Sequence, residues 1–365
     1  MTYGLSRIAG LYHSNYRGLC TIFQKSRKIV ENFPKVSKKI TLFSMQKEPA
    51  KPFIPNVREL RKKPSRMASG HRLCPGCGIG TIMNQVFASV DAPVVMANAT
   101  GCSEICFSPV PYATMKTPWI HSLFENSASV ISGVERCWKS KQKRGELSPE
   151  QEKIKFLAVG GDGATYDIGF QWLSGALERG HNFVYVCFDN EGYMNTGYQR
   201  SSAVPKGFDT HTSPDGKAVH GKMQHRKNLT KILANHDIPY VAQASPWNYV
   251  DLMRKVHKAF EIDGPAVIMA YSPCPTNWKH ASEDGLDVAR LATESGLWPL
   301  YEVENGKWKV HSPAPREGAL EEFLGMQKRT KNLLREDHAK ELVELKEQIA
   351  KDWEYLQRMQ EVFGA

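Results

Sequence analysis

Phe156-Leu-Ala-Val-Gly-Gly-Asp-Gly163 and, further on, Phe183-Val-Tyr-Val-Cys-Phe-Asp-Asn-Glu-Gly192 decide the fold. Each is an apolar run of strand length that closes in a turn carrying glycine and oxygen-bearing side chains. Between them, Asp167 to Arg179 has helical spacing. Strand, helix, strand in that order is a βαβ unit, whose crossover makes the two strands parallel. In a doubly wound sheet, ligands gather outside the carboxyl ends of the strands, where both turns fall.

The same pattern recurs on either side. Thr81 to Val90 reads as a helix, and Ala92 to Asn98 as a buried strand ending in Ala99-Thr-Gly-Cys-Ser103. Trp247 to Phe260 is helical in spacing, and Ala266 to Ala270 is a strand ending at Ser272-Pro-Cys-Pro275. The expected fold class is therefore α/β, a mainly parallel doubly wound sheet with helices on both faces. Upstream, a basic linker from Lys51 to Arg66 leads into Gly70 to Gly78, whose glycine and proline density argues against a regular helix. Tyr198 to Asn228 lacks periodicity, and a loop of that length is commonly functional or disordered. From Pro315 onward, Leu342, Leu345, Ile349, Trp353, Leu356 and Phe363 describe an amphipathic helix that docks on this chain or a partner. The reading divides the chain into a basic, poorly ordered extension (1–50), a core domain (51–312) and a C-terminal helical extension (313–365).

With 41% hydrophobic and 24% charged residues among 365, the composition is that of an ordinary soluble globular protein. The net charge of +10 would admit an anionic partner, but residues 1–45 carry eight Lys or Arg against Glu31 alone. The sequence has neither a bilayer-length apolar run nor an apolar signal region, so a cytoplasmic protein without membrane attachment is expected. The opening segment reads either as a non-native or disordered extension or as a transit-like leader, with Met45 as an alternative start.

The eight cysteines are of two kinds. Cys187 within a strand and Cys137 within a helical stretch read as small apolar residues. Cys74 and Cys77 form a Cys-Pro-Gly-Cys loop, and Cys102 and Cys274 each follow a buried strand. Four loop thiols can hold either zinc or a [4Fe–4S] cluster, and their chemistry does not separate the two. Cys106 is a fifth candidate, one helical turn beyond Cys102. Separately, Asp162 and Asn190 at adjacent strand ends offer oxygens to Mg²⁺, and Gly161 and Gly163 let backbone N–H groups approach a diphosphate.

These segments resemble the beta subunit of pyruvate:ferredoxin oxidoreductase, within the 2-oxoacid:ferredoxin oxidoreductase family. The likeness runs from about Lys51 to Val310. It rests on His71-Arg-Leu-Cys-Pro-Gly-Cys-Gly78, Ala97-Asn-Ala-Thr-Gly-Cys-Ser103, Pro118-Trp-Ile-His-Ser-Leu-Phe-Glu-Asn126, Gly161-Asp-Gly163 with Asp167-Ile-Gly169, Asp189-Asn-Glu-Gly-Tyr-Met-Asn-Thr-Gly197 and Tyr271-Ser-Pro-Cys-Pro-Thr276. It implies a thiamine-diphosphate-binding fold, with Cys74, Cys77, Cys102 and Cys274 holding a [4Fe–4S] cluster beside the cofactor. Asp162, Asn190 and the Gly192 carbonyl would bind Mg²⁺; Cys102, Gly161, Gly163, Ala164 and Asn195 would line the cofactor, with Asn195 facing the substrate. The implied reaction is coenzyme A-dependent oxidative decarboxylation of pyruvate, reversible, with electrons leaving through the cluster to ferredoxin. Alpha, gamma and delta subunits are the implied partners, without which this chain is expected to be inactive. Ile79 departs from the pattern, since many relatives carry glutamate there. Aryl, branched or oxalate 2-oxoacids are the alternative substrates.

Two other classes compete. Thiamine-diphosphate enzymes without a cluster share the Gly-Asp-Gly and Asn pattern but have no need of four loop cysteines. A zinc-stabilised nucleic-acid module would use Lys206, Lys217, Lys222, Arg226 and Lys227 against phosphates, yet leaves the Gly-Asp-Gly unit without a purpose. The preferred reading makes those cations a solvated face, or a docking surface for acidic ferredoxin or coenzyme A, and takes no nucleic acid as partner.

Overall fold

The computed structural model describes residues 53–109 and 114–364, so the expectations for 1–50 and for Met45 lie outside the described residues. Eight strands form one sheet: β1 (Val94–Asn98), β2 (Trp119–His121), β3 (Lys155–Gly161), β4 (Val184–Asp189), β5 (Tyr240–Ala244), β6 (Ala266–Tyr271), β7 (Tyr301–Glu304) and β8 (Lys307–Val310). Their order is β2-β1-β3-β4-β6-β5-β7-β8. The pairings from β2 through β5 are parallel, whereas β7 runs antiparallel to β5 and β8 antiparallel to β7.

The central strands are buried on both faces, which is why they read as unbroken apolar runs. In β4, Val184, Val186 and Phe188 join one core with Ile82, Met83 and Val256, while Tyr185 and Cys187 join the other with Ile131, Leu173 and Ala176. The period-two alternation therefore feeds two helical layers rather than one core and solvent. Helices Gly78–Ala88 and Tyr249–Glu261 cover one face, and Ser127–Lys143 and Phe170–Glu178 the other.

Several expectations shift on inspection. The helix expected over Thr81 to Val90 begins at Gly78, within the stretch read as irregular, and only the residues up to Cys77 remain outside it. The helical chain after β3 begins at Gly163 rather than near Asp167. A wide turn over Gly163–Asp167, closed by the Ile168 N–H on the Gly163 carbonyl at 3.3 Å, precedes the regular helix Phe170–Glu178. Apolar spacing does not distinguish such a turn from coil. Cys187 is fully buried, as expected, but Cys137 is exposed, because its helix turns Ala128, Ile131 and Glu135 inward instead.

The C-terminal helix spans Ala339–Phe363 and docks on this chain, with Leu345, Ile349 and Leu356 in the core cluster and Tyr355 set edge-on against Trp308 at 5.9 Å. Phe363 stands exposed at its end. Among the described residues no helix is long and apolar enough to cross a membrane.

Candidate functional site

Asp162 follows β3 and Asn190 follows β4, so parallel pairing brings the two residues to one edge. Asp162 is fully buried and accepts from the Gly192 N–H at 2.8 Å, the Asn190 N–H at 3.4 Å and the Ser201 hydroxyl. Burial, and then the neighbouring Asp189, push its carboxyl well above the usual carboxylate range. The Asn190 side-chain amide reaches to within 2.7 Å of Asp162 Oδ1 and 2.9 Å of the Gly192 carbonyl oxygen, and with its NH₂ turned toward them it donates to both. Turned over, the amide would bring its oxygen to the same two oxygens, an arrangement that a cation between the three would favour; an octahedral Mg²⁺ with ligands at about 2.0–2.1 Å sets adjacent oxygens roughly 2.9 Å apart.

Beside these residues opens a cleft of about 270 Å³ lined by Cys102, Gly161, Gly163, Ala164, Asn190, Gly192 and Asn195. The predicted cofactor-lining residues thus come together, while Asp162 lies buried. A Cβ on Gly161 would meet nothing within 4 Å, so this backbone is bare to the cleft, whereas one on Gly163 would lie 2.3 Å from the Tyr193 ring. One glycine leaves room for a ligand, and the other lets Tyr193 form the wall. Asn195 is exposed. Ile79, the position at which the sequence departs from the pattern it resembles, also lines the cleft.

Cys102 belongs to two neighbourhoods. It lines the cleft, and its thiol is within electrostatic reach of Cys274, Cys77, Cys106 and Cys74. The Cys-Pro-Gly-Cys turn is closed by the Cys77 N–H on the Cys74 carbonyl at 3.0 Å, and tied to the segment before Cys274 by the Gly78 N–H on the Pro273 carbonyl at 3.0 Å. The four predicted thiols therefore converge. Burial lifts Cys77 to about 12 and raises Cys102 and Cys274 as well. Cys106 shares the helix Cys102–Phe107 with Cys102, as its spacing suggested, but its sulfur donates to the Arg72 carbonyl at 3.2 Å. Among the described residues no three His, Cys, Asp or Glu side chains close tightly enough for a single metal ion.

Beneath the oxygens lies a buried network that sequence reading did not find. Glu191 accepts from Arg226 at 3.1 Å and from Arg329 at 2.6 Å, and Arg226 also binds Asp189 and the Tyr166 hydroxyl. Arg226 and Ser201 come from the aperiodic 198–228 segment, which is closely packed, with Ala203, Val204 and Phe208 fully buried. Glu191 sat in a quoted motif and was given no role; Arg329 gave no signal at all. The loop cations are corrected here too. Lys222 is 1% exposed and donates to backbone carbonyls of Ser202 and Val204, Arg226 is half-buried among acids, and Lys206 pairs with Glu344. Those residues serve the fold, and the five do not form a solvated or phosphate-facing surface.

A parallel α/β sheet with Gly-Asp-Gly and asparagine at adjacent strand ends defines a class of diphosphate-cofactor proteins. Accordingly, residues 99–270 match the family described as thiamine pyrophosphate enzyme, C-terminal TPP binding domain. Pyruvate synthase subunit PorB of Thermotoga maritima is 44% identical over 310 residues, covering 84% of this chain and 95% of that one. Its namesake from Methanocaldococcus jannaschii is 46% identical over 272 residues, covering 74% and 90%. Ketoisovalerate oxidoreductase subunit VorB of Pyrococcus furiosus is 38% identical over 298 residues, covering 81% and 94%. The chain belongs to the family of pyruvate synthase PorB subunits.

Proposed function

We propose that this chain is the thiamine-diphosphate- and [4Fe–4S]-bearing subunit of a pyruvate:ferredoxin oxidoreductase, working with alpha, gamma and delta subunits. The observation that carries the reading is the convergence of the Asp162 carboxyl, the Asn190 side-chain amide and the Gly192 carbonyl beside a cleft that Cys102 also lines. Asp162, the Asn190 side-chain oxygen and the Gly192 carbonyl hold Mg²⁺, and the bare backbone at Gly161 with the turn from Gly163 and Ala164 receives the diphosphate. Cys74, Cys77, Cys102 and Cys274 hold the cluster. Their convergence supports a four-thiolate site, and the family to which the chain belongs favours the cluster over zinc. When bound, the thiazolium ring supplies an electron sink for decarboxylation and the cluster a one-electron exit. This chain's share is positioning: Asn195 would orient the 2-oxoacid, Phe124 and Tyr193 would exclude water from the cleft, and Cys102, which lines the cleft and lies near the other thiols, would hold the cluster beside it.

Pyruvate is the preferred substrate, supported by greater identity to the pyruvate synthase subunits than to the ketoisovalerate one. Coenzyme A accepts the acyl group, ferredoxin the electrons, and the reaction runs in both directions. The assembled complex, purified anaerobically, should reduce ferredoxin with pyruvate and coenzyme A at a kcat/KM at least about tenfold above that with 3-methyl-2-oxobutanoate. A preference for the branched acid would move the chain to the ketoisovalerate branch. Failure with every 2-oxoacid would overturn the proposal.

A further inference from the structure

We propose that Glu191 and Arg329 form a positioning pair for the cation-binding loop, which makes the C-terminal segment a working part of the cofactor site. The proposal rests on the assignment of Asp162, Asn190 and Gly192 to Mg²⁺. Glu191 lies between two of those residues and has φ +58°, the left-handed conformation that side chains other than glycine rarely adopt. That backbone turn directs the Asn190 side chain and the Gly192 carbonyl to the same point. A strained turn persists only where its surroundings over-determine it, and the surroundings here are two arginines on one fully buried carboxylate.

Arg329 grips the loop twice. Its guanidinium donates to Glu191 Oε2 at 2.6 Å, and it stacks 3.7 Å from the centre of the Trp278 ring. Trp278 in turn donates its indole N–H to the Asn190 carbonyl at 3.0 Å. Gln327 and Tyr198 hold the guanidinium at 2.9 and 3.3 Å, and the Lys328 N–H bonds the Trp278 carbonyl at 3.0 Å. Both flanks of Asn190 are thus braced from residues 327–329. A buried ion pair is a poor way to gain stability, because apolar side chains of similar volume usually do as well. What the pair does provide is a fixed direction for the loop's oxygens.

The test uses the assembled complex, prepared anaerobically and stripped of thiamine diphosphate and Mg²⁺, with cofactor binding followed by equilibrium dialysis across a Mg²⁺ titration. Glu191→Gln keeps the side-chain volume, and Arg329→Lys keeps the charge but not the fork. Each should raise the Mg²⁺ concentration for half-maximal binding at least about tenfold, with the KM for pyruvate unchanged at saturating Mg²⁺. The double variant should be no worse than the poorer single one, since the two act as a unit. A purely structural pair would lower thermal stability equally with and without Mg²⁺ and leave half-saturation within about twofold of the parent; that result overturns the proposal. Asp162→Asn separates the two levels. If it binds cofactor normally, the Mg²⁺ assignment fails; if it loses binding while Glu191→Gln and Arg329→Lys keep it, only the pairing fails.

Discussion

Asp162 is fully buried and held by two backbone N–H groups and Ser201, whereas Cys74 is exposed and sits in a loop secured by a few backbone hydrogen bonds. The oxygen site is assembled by the fold itself: two parallel strand ends, a strained turn at Glu191 and a pair of arginines fix where the acceptors point. The thiol site is assembled from three places, the Cys74–Cys77 loop, the start of the Cys102 helix and the turn at Cys274, and burial raises the Cys77 and Cys102 thiols further above neutral pH. On the proposed reading the first would take Mg²⁺ with little movement beyond the loss of the Asp162 proton. The second would have to give up several thiol protons to the cluster.

If the contrast is right, the largest single effect falls on the preorganised side. Removing the buried carboxylate with Asp162→Ala should weaken Mg²⁺-dependent cofactor binding on the order of 10²- to 10³-fold, the loss typical of a buried charged partner. Dialysis against Mg²⁺ measures it, and a change under about tenfold would mean that the oxygens are not the cation site. Next comes Cys102→Ser, which should lose the iron and sulfide and cut pyruvate-dependent ferredoxin reduction roughly 100-fold or more while thiamine diphosphate still binds. Simultaneous loss of the cofactor would show that the two sites do not load independently.

A gentler effect is set by pH. In the cluster-free chain the folded Cys77 titrates at about 12 against an ordinary 9.0, so its neutral form favours the folded state. That contribution is complete below pH 9 and is lost as pH rises toward 12. Apo protein should therefore lose thermal stability across that window more steeply than loaded protein, in which the thiolates are already ligated; parallel curves would contradict the protonated-thiol picture. The smallest effect belongs to Cys106→Ser. Its sulfur already has a partner in the Arg72 carbonyl, and iron content and rate should stay within about twofold of the parent. A loss equal to that of Cys102→Ser would exchange the two ligands.

The legibility of the two regions differs for the same physical reason. The strands that carry Asp162 and Asn190 are buried on both faces, so their apolar runs and closing turns stood out, and the parallel core followed. Cysteines are few enough that loop position alone separated Cys74, Cys77, Cys102 and Cys274 from Cys187. The antiparallel edge carries a sequence signal of its own: Tyr301 to Val310 alternates around Asn305-Gly306, both at positive φ, a two-residue hairpin turn. Glu191, Ser201, Arg226 and Arg329 were not readable. Their pairing depends on contacts between segments as far apart as β4 and the C-terminal extension, and a lone buried arginine looks like any surface arginine in a sequence.

The most direct test of the account is a metal and cofactor analysis of the complex purified anaerobically with its partner subunits, compared with the same complex carrying Cys102→Ser. The account predicts about four irons and four sulfides attributable to this chain, absent from the variant, with thiamine diphosphate and Mg²⁺ retained in both. Stoichiometric zinc in their place, with no thiamine diphosphate bound, would contradict it.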